Sequence, residues 1–330
     1  MENIQSTLDR LAAQSDRRTS VFDIEIVRLQ NTSLTLSGRL LSESQLEALS
    51  GHFSNWKLDT GSIRVLQKGN LPRMHVATNL TGLYEKPTFG MPLSSELSYG
   101  TEVEILDEEG KWVFTRQKDG YLGWAYKPYL RPDPAREPTH FVTVPCCELH
   151  TRPEAGSEIA TRLVSGTAVT VEEIDGEWAR VIANKRGWLP LAVLRALVDI
   201  PQPLEEKRKT LIEDSARMIG VPYLWGGISG NGIDCSGFVR LLHRWVGIDI
   251  PRDADMQHAK AKPVEPPFEV GDLLFFAESS GERKITHVGM SLGGWKMIHS
   301  SRGNNGVYVD NVQERESLKQ NFVSAGSFLR

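Results

Sequence analysis

An internal repeat in the middle of the chain constrains its fold more than any other feature. Residues 76–130 align with residues 142–194, at an offset of 66 positions as far as Trp112. Each copy has short stretches of alternating apolar and polar residues separated by glycine turns, a pattern that predicts β-hairpins. We therefore predict two small β-barrels. The aligned positions are Val76 and Val142, Leu83 and Leu149, Pro87 and Pro153, Gly100 and Gly166, Gly110 and Gly176, and Trp112 and Trp178.

The two copies differ by an insertion. After Trp112 the offset falls from 66 to 64, so that Gly123 aligns with Gly187. The first copy therefore holds extra residues near Gly120 and Tyr121 that the second copy lacks. Tyr121 is a residue that only the first predicted barrel presents.

Breaker residues divide the chain into four predicted domains. Linkers that contain proline lie at 68–72, 132–138 and 200–203. The first part of the chain shows helical and strand-like patterns, which indicate a small α+β domain, but no motif that predicts a role. The predicted domains are 1–70 for the small domain, 71–134 and 135–200 for the two barrels, and 201–330 for the C-terminal domain.

Composition excludes several classes of protein. The chain has 330 residues, a formal net charge of −4 and 40% hydrophobic residues, which is ordinary for a soluble protein with several domain cores. The chain has no excess of basic residues that would indicate nucleic acid or an anionic membrane as its partner. No stretch approaches a membrane span, and the N-terminal residues lack the pattern of a secretory signal.

These observations predict a cytoplasmic protein. Three cysteines, of which Cys146 and Cys147 are adjacent and cannot pair in ordinary disulfide geometry, fit a reducing compartment. A secreted or periplasmic protein from which a leader has been removed is the alternative.

Cys235 is the candidate nucleophile. It lies where a glycine-rich polar segment changes into a stretch, residues 238–246, whose apolar residues recur at helical spacing. Asp234 can cap this helix and leaves Cys235 in its first turn. Because free amide groups at a helix start favour the thiolate, we expect the pKa of Cys235 to lie below that of a free thiol. A cysteine that only fills the core is the alternative.

Two histidines lie on a predicted β-hairpin downstream of the cysteine. Strand-like segments flank the glycine-rich turn 293–295. A two-residue loop would place His287 and His299 on opposite faces, whereas a three-residue loop pairs Gly289 with His299 and puts both rings on one face. We therefore predict the three-residue loop. The histidines then supply the base that a thiol nucleophile needs and the group that orients this base.

Four ordered motifs resemble a known family. They span about 110 residues and resemble those of the NlpC-type papain-like cell-wall cysteine peptidases. The motifs are Pro222-Tyr223-Leu224-Trp225-Gly226-Gly227, Asp234-Cys235-Ser236-Gly237-Phe238-Val239, Gly271-Asp272-Leu273-Leu274-Phe275-Phe276, and the pair His287-Val288-Gly289 and Met297-Ile298-His299.

The resemblance implies a role for each catalytic candidate. Cys235 would attack the scissile carbonyl, and His287 would act first as base and then as acid. His299 would fix the ring of His287, and Tyr223 would help to hold the oxyanion, a type of contact that typically lowers the barrier by about 3–4 kcal/mol.

The layout of the chain extends the resemblance. The repeat resembles the bacterial Src-homology-3-like barrels that often precede such peptidase domains. The implied fold class is α+β multidomain, with a papain-like α+β catalytic domain preceded by two Src-homology-3-like β-barrels and a small N-terminal α+β domain. The resemblance does not cover residues 1–70.

The whole layout is similar to that of a subfamily that trims free stem peptides during cell-wall recycling. There, an acidic residue and a tyrosine of the first barrel narrow the cleft so that only a free amino terminus enters. The matching candidates are Glu85 and Tyr121, and Asp253 and Ser236 would complete the pocket. A desolvated ammonium needs carboxylates beside it. Asp253 has two alternative roles, as an ion-pair partner of Arg252 or as a helix cap.

The implied activity is that of a cysteine-type γ-D-glutamyl-diamino acid endopeptidase, a dipeptidyl-peptidase. Its partner would be a peptidoglycan stem peptide, L-Ala-γ-D-Glu-diamino acid, with meso-diaminopimelate or L-Lys as the diamino acid. We expect neither nucleic acid nor a membrane as partner. The preferred diamino acid and the oligomeric state stay open.

Three alternatives to this activity remain. The first is a secreted, wall-bound peptidoglycan hydrolase whose barrels bind the wall. The second is a binding protein in which Cys235 only packs. The third is a thiol acyltransferase or amidase, which the spacing of the motifs does not separate from a peptidase.

Two other kinds of site are not favoured. The glycine-rich segment 226–232 lacks the lysine and hydroxyl residue that end a phosphate-binding loop. Cys235, His287 and His299 are chemically able to hold zinc, but the sequence has no paired Cys-x-x-Cys or His-Glu-x-x-His motif. We therefore expect neither a metal ion nor another cofactor.

Overall fold

The computed structural model describes residues 4–278 and 284–329, and these residues form two compact units. The strands of the predicted first barrel are divided between the two units. The first unit consists of the described residues up to Met74 with Glu85–Phe89 and Glu102–Pro128, and the second consists of His75–Tyr84, Gly90–Thr101 and the described chain from Tyr129 onward.

The N-terminal domain is the α+β fold that its sequence pattern predicts. Its elements are α1 (Ile4–Ala13), β1 (Phe22–Gln30), β2 (Ser33–Leu40), α2 (Glu43–His52) and β3 (Lys57–Val65). β2 pairs antiparallel with β1 and parallel with β3, and α2 is the crossover that a parallel pair needs. Ser42 and Gln45 form a capping box at the start of α2. Buried leucines from both helices and from β2 form the core.

The first copy of the repeat forms short antiparallel strands. They are β4 (Arg73–Val76), β5 (Leu80–Tyr84), β6 (Leu93–Ser98), β7 (Glu102–Glu109), β8 (Trp112–Arg116), β9 (Leu122–Tyr126) and β10 (Leu130–Arg131), the last preceded by a 3₁₀ helix at Lys127–Tyr129. In the first unit, β7, β8 and β9 form a meander. In the second unit, β5 and β6 form a hairpin, and β10 pairs with β4.

The N-terminal domain packs on the meander within the first unit. Asp107 of the meander forms ion pairs with Arg39 at 3.5 Å and with Arg64 at 2.8 Å. The residues for which the sequence predicts no role therefore cover one side of the meander. An apolar cluster joins the two parts and consists of Val21, Leu41, Leu66, Leu106 and Leu122.

The second copy of the repeat is one seven-stranded sheet in the order β13-β12-β16-β15-β14-β11-β17. Its strands are β11 (His140–Val142), β12 (Cys146–His150), β13 (Ile159–Val164), β14 (Ala168–Asp175), β15 (Trp178–Ile182), β16 (Arg186–Pro190) and β17 (Leu194–Ala196), with 3₁₀ helices at Leu191–Val193 and Leu197–Asp199. The sheet surrounds a core of buried aliphatic residues.

The strand pairings confirm the repeat and its insertion. The hairpin β12–β13, the meander β14–β15–β16 and the pair β11–β17 correspond to β5–β6, β7–β8–β9 and β4–β10. The loop between β8 and β9 comprises residues 117–121, whereas the loop between β15 and β16 comprises residues 183–185. The first loop is longer by the two residues that the change in offset predicts.

The C-terminal domain packs helices against a six-stranded antiparallel sheet of order β20-β25-β21-β22-β23-β24. Its elements are α3 (Leu204–Arg217), β18 (Ile228–Ser229), β19 (Gly232–Ile233), α4 (Cys235–Trp245), α5 (Ala254–Lys260), β20 (Lys262–Val264), β21 (Leu273–Ala277), β22 (Ile285–Ser291), β23 (Lys296–Ser301), β24 (Gly306–Asn311), α6 (Glu316–Asn321) and β25 (Phe322–Ser327). α4 contributes Phe238, Leu242 and Trp245 to the core beneath the sheet.

A buried ion pair joins the second barrel to this domain. Asp214 of α3 accepts two hydrogen bonds from Arg195 of β17, at 2.6 and 2.9 Å. Beside it, the ring of Phe141 stacks on Trp245 at 6.3 Å. The Asp214 side chain is 1% exposed, so removing it leaves a guanidinium without its counter-charge in a nearly closed site.

We expect Asp214→Ala to destabilise the fold by about 3–5 kcal/mol, because breaking a buried pair leaves one charge uncompensated. The midpoint of urea unfolding, followed by tryptophan fluorescence, measures this. Glu213→Ala is the matched control, since Glu213 is the neighbouring exposed carboxylate of the same helix. Equal midpoints for the two variants would contradict the prediction.

Candidate active site

Cys235 is the first residue of α4, as predicted. The Asp234 side chain caps the helix by accepting a hydrogen bond from the Gly237 amide at 2.7 Å. The Cys235 side chain lies against the backbone of Val288 in β22, and the residue is 7% exposed. The helix thus directs the thiol at the strand that carries His287.

The environment of the thiol corrects one sequence prediction. Burial raises the pKa of Cys235 to about 12, and the adjacent Asp234 carboxylate acts in the same direction. The backbone amides of Val288 and Ser236 favour the thiolate but do not compensate for this. The prediction of a lowered pKa is therefore wrong for the resting structure, because the loss of hydration outweighs the effect of the helix start.

The hairpin that carries the histidines has the predicted register. β22 pairs with β23 through Met290 with Ile298 and Ser291 with Met297, which leaves residues 293–295 as the loop. The His287 and His299 rings consequently lie on one face, with His287 Nε2 at 2.7 Å from His299 Nδ1.

Asp310 extends this pair on the next strand. His299 Nε2 lies 2.9 Å from Asp310 Oδ2, and Asn304 and Arg315 also donate to this carboxylate. The hydrogen bond from His299 is the largest of the effects that lower the pKa of Asp310. Asp310 is not among the site residues predicted from the sequence. The signal for Asp310 lies in the strand that follows the one carrying His299. Tyr308 and Asp310 share one face of that strand, and since Tyr308 pairs with His299, the carboxylate lies diagonal to His299.

Asp310 determines which nitrogen of His287 is free to act as base. An ionised carboxylate only accepts, so His299 must donate from Nε2. In a neutral ring, His299 Nδ1 then accepts, and His287 Nε2 must donate to it. The lone pair of His287 consequently lies on Nδ1. Burial and the neighbouring His299 lower the pKa of His287 to about 3, which keeps this ring neutral.

Tyr223 lies beside the thiol. Burial raises the pKa of its hydroxyl, and the nearby Cys235 and Asp234 add to this effect. A phenol with a raised pKa stays protonated and is able to donate to a developing oxyanion. The backbone of Tyr223 is held by a bridge to Ile233 and by a hydrogen bond from its amide to the Asn305 carbonyl at 3.3 Å.

Ser236 and Asp253 meet at a buried arginine. Arg252 binds both oxygens of Asp234, at 3.0 and 2.6 Å, and donates to Ser236 Oγ at 2.9 Å. Asp253 lies 3.8 Å from the same guanidinium and makes no capping hydrogen bond to α5, which favours the ion-pair alternative. Ser95 of β6 also accepts from Arg252, at 2.9 Å.

Glu96 of β6 lies in the same part of the second unit. It accepts a hydrogen bond from the Ile228 amide at 3.0 Å and is 8% exposed. Burial raises its pKa to about 7, although Arg252 opposes the shift. No sequence motif indicates Glu96, because only the tertiary fold brings this hairpin strand next to Asp234 and Arg252.

Glu85 and Tyr121 belong to the first unit. Glu85 is exposed, while Tyr121 is buried and donates from its amide to Asp119 at 3.0 Å. Their predicted contribution to the substrate pocket stays a prediction.

Residues 4–278 and 284–329 contain neither a cluster of metal ligands nor a helix suited to span a membrane. No group of three or more His, Cys, Asp or Glu residues is arranged to hold a metal ion in this part of the chain. None of its helices combines the length and the apolar character of a membrane span.

Comparisons with known proteins agree with the geometry. A family model described as the NlpC/P60 family matches residues 220–326, and one described as the bacterial dipeptidyl-peptidase Sh3 domain matches residues 83–125. The γ-D-glutamyl-L-lysine dipeptidyl-peptidase of Bacillus cereus is 31% identical over 66% of this chain and 70% of its own length. The protein of that name from Bacillus subtilis is 30% identical over 67% of this chain and 77% of its own length.

A solved structure shows the same fold. An NlpC/P60 family protein from Bacillus cereus superposes with a TM-score of 0.69 at 25% identity, covering 78% of this chain and all of that protein. A thiol at a helix start, a histidine pair on a hairpin and preceding Src-homology-3-like strands define a papain-like cysteine peptidase. The chain belongs to the NlpC/P60 family of cell-wall cysteine peptidases.

The raised pKa of Cys235 predicts the reactivity of the resting thiol. Because the thiolate is the reactive form, its alkylation by iodoacetamide should rise about tenfold per pH unit from pH 7 to 10. Mass spectrometry of the Cys235 peptide measures the rate. In urea-unfolded protein, the control, the rate should level off near the ordinary pKa of about 8.5. A rate in the folded protein that already levels off near pH 7 would reveal a preformed ion pair instead.

Because the Asp310 carboxylate fixes the hydrogen-bond direction of both histidines, we expect Asp310→Asn to lose activity. An amide that presents N–H to His299 reverses the hydrogen-bond direction and moves the lone pair of His287 to the wrong nitrogen. We expect kcat to fall by about 100-fold or more, with KM nearly unchanged. Glu314→Gln, a charge-matched change nearby, should leave kcat unaltered. A wild-type kcat in Asp310→Asn would show that Asp310 does not orient the two histidines.

Proposed function

We propose that the chain hydrolyses the γ-D-glutamyl bond to a diamino acid in peptidoglycan stem peptides that begin with a free L-Ala. The relatives named γ-D-glutamyl-L-lysine dipeptidyl-peptidases support the bond and the dipeptide product. The observation that carries the proposal is a pair of carboxylates, Asp253 and Glu96, near the buried Arg252. Arg252 donates a hydrogen bond to Ser236, the residue that follows Cys235.

The chemistry starts from a neutral thiol and a neutral imidazole. As Cys235 attacks the scissile carbonyl, its proton passes to His287 Nδ1, and the new positive charge is stabilised through His299 by Asp310. The Tyr223 hydroxyl donates to the oxyanion. His287 then returns the proton to the departing amine, and water hydrolyses the thioester to release L-Ala-D-Glu.

The carboxylates explain a preference for a free amino end. An ammonium group that enters a desolvated cleft loses several kcal/mol of hydration unless anions replace the water. Asp253 supplies one carboxylate, and Glu96 supplies a second when it is ionised. Since the pKa of Glu96 is about 7, the bound ammonium would hold this group in its charged form.

A free L-Ala amine arises only after a stem peptide has been released from the sugar chain. We therefore assign the activity to the recycling of released wall peptides, and a cytoplasmic location is part of this proposal. The substrate-binding role that the resemblance implies for Glu85 and Tyr121 remains a separate proposal.

Blocking the amino end should stop the reaction. We expect L-Ala-γ-D-Glu-meso-diaminopimelate to be cleaved to L-Ala-D-Glu, and its N-acetylated form to be cleaved at least about 100-fold more slowly, because acetylation removes the charge that the carboxylates meet. Mass spectrometry of the products measures both rates. Cys235→Ala should be inactive and folded. Equal rates for the two peptides would overturn the free-amine preference.

Variants of Glu96 and Glu85 test which carboxylate binds the ammonium group of the substrate. For Glu96→Gln, we expect a raised KM for the free-amine peptide and an unchanged rate for any residual cleavage of the acetylated one. In the wild type, KM should rise as pH falls below about 7, because Glu96 then becomes neutral. Glu85→Gln is the parallel test of the sequence prediction. If neither variant changes KM, neither residue meets the ammonium.

A further inference from the structure

An exposed arginine lies beside the proposed oxyanion donor. Arg302 directly follows β23, the strand that carries His299. Its guanidinium lies 5.0 Å from the centre of the Trp225 ring and 5.7 Å from that of the Tyr223 ring. Trp225 is 55% exposed. Two aromatic rings from the first motif thus hold the arginine at the surface.

This arginine lacks the internal counter-charge that its neighbours have. Arg252 is paired with Asp234, and Arg315 is paired with Asp310. Within the described part of the chain, no carboxylate lies within ion-pair distance of Arg302. A guanidinium that lies over aromatic rings keeps the N–H groups at its own edge free of the rings. These N–H groups are able to bind a carboxylate through two hydrogen bonds.

Arg302 is also close to the reaction. Its guanidinium lies over the Tyr223 ring, and Tyr223 is close enough to Cys235 for a charge on that thiol to raise the pKa of the tyrosine hydroxyl. The guanidinium is therefore one side chain away from the thiol. A substituent of the substrate a few bonds from the scissile carbonyl can reach it.

We propose that Arg302, stacked on Trp225 and Tyr223, binds a carboxylate of the substrate and selects peptides that carry it. The inference rests on the proposed function, whose substrate offers two such groups. One is the α-carboxylate of the γ-linked D-Glu on the acyl side of the scissile bond. The other is the side-chain carboxylate of meso-diaminopimelate on the leaving side, which L-Lys lacks.

Four peptides separate the two sources. They combine D-Glu or its α-amide with meso-diaminopimelate or L-Lys, all with a free L-Ala. We expect Arg302→Gln to lower kcat/KM by about 10- to 100-fold for the peptides with the recognised carboxylate and to leave the others unchanged. Arg302→Lys should recover part of the loss, because a lysine keeps the charge without the planar fork.

A binding measurement separates recognition from turnover. Calorimetry with Cys235→Ala and with Cys235→Ala/Arg302→Gln should show the same selective loss of affinity. Arg180→Gln is the matched control, because Arg180 stacks on Trp188 at 5.6 Å in the second barrel, and it should change nothing.

Each outcome decides between the hypotheses. A loss confined to the D-Glu or to the meso-diaminopimelate peptides supports the proposal and identifies the carboxylate. An equal loss for all four peptides would show that Arg302 only positions Tyr223, and no loss would show that it is a surface charge; either result overturns the inference while the proposed function stands. If the wild type cleaves none of the four, the proposed function fails first.

Discussion

The hydrogen bond between His287 and His299 is the interaction on which the active site depends. An imidazole is an ambiguous partner, because either of its nitrogens is able to carry the proton. The arrangement works only because the second ring has its own fixed acceptor, Asp310, so that the direction of both hydrogen bonds is determined. The carboxylate in turn is held by Asn304 and Arg315, which keep it ionised and oriented.

Asp234 plays a comparable part for the other half of the site. Its two oxygens accept from the amides of Gly237 and Gly226, and both bind Arg252. One carboxylate therefore joins the helix that carries the thiol to the segment that carries Tyr223 and Trp225. This anchoring has an electrostatic cost for the thiolate, since a negative charge beside Cys235 opposes its ionisation. Asp234 therefore fixes the geometry of the site and adds to the effect of burial, which is the main cause of the raised pKa of the resting thiol.

Local patterns were sufficient to predict much of the fold. The repeat, its two-residue insertion, the small N-terminal α+β domain and the register of the histidine hairpin all follow from periodicity and from side-chain alternation. The groups that the sequence did not reveal depend on tertiary packing. Glu96 is distant in sequence from Arg252, and the pKa of Cys235 is dominated by the loss of hydration, which no local pattern encodes.

The odd-numbered loop of the histidine hairpin restricts how the family can diverge at this point. Its composition is constrained by packing and backbone conformation, because Trp295 contacts Phe268 and Phe322 and both glycines have positive φ. Its length is constrained by the chemistry, since one inserted or deleted residue would turn His299 to the far side of the sheet. Viable descendants are therefore expected to gain or lose residues here in pairs, so that a parity rule would be visible across an alignment.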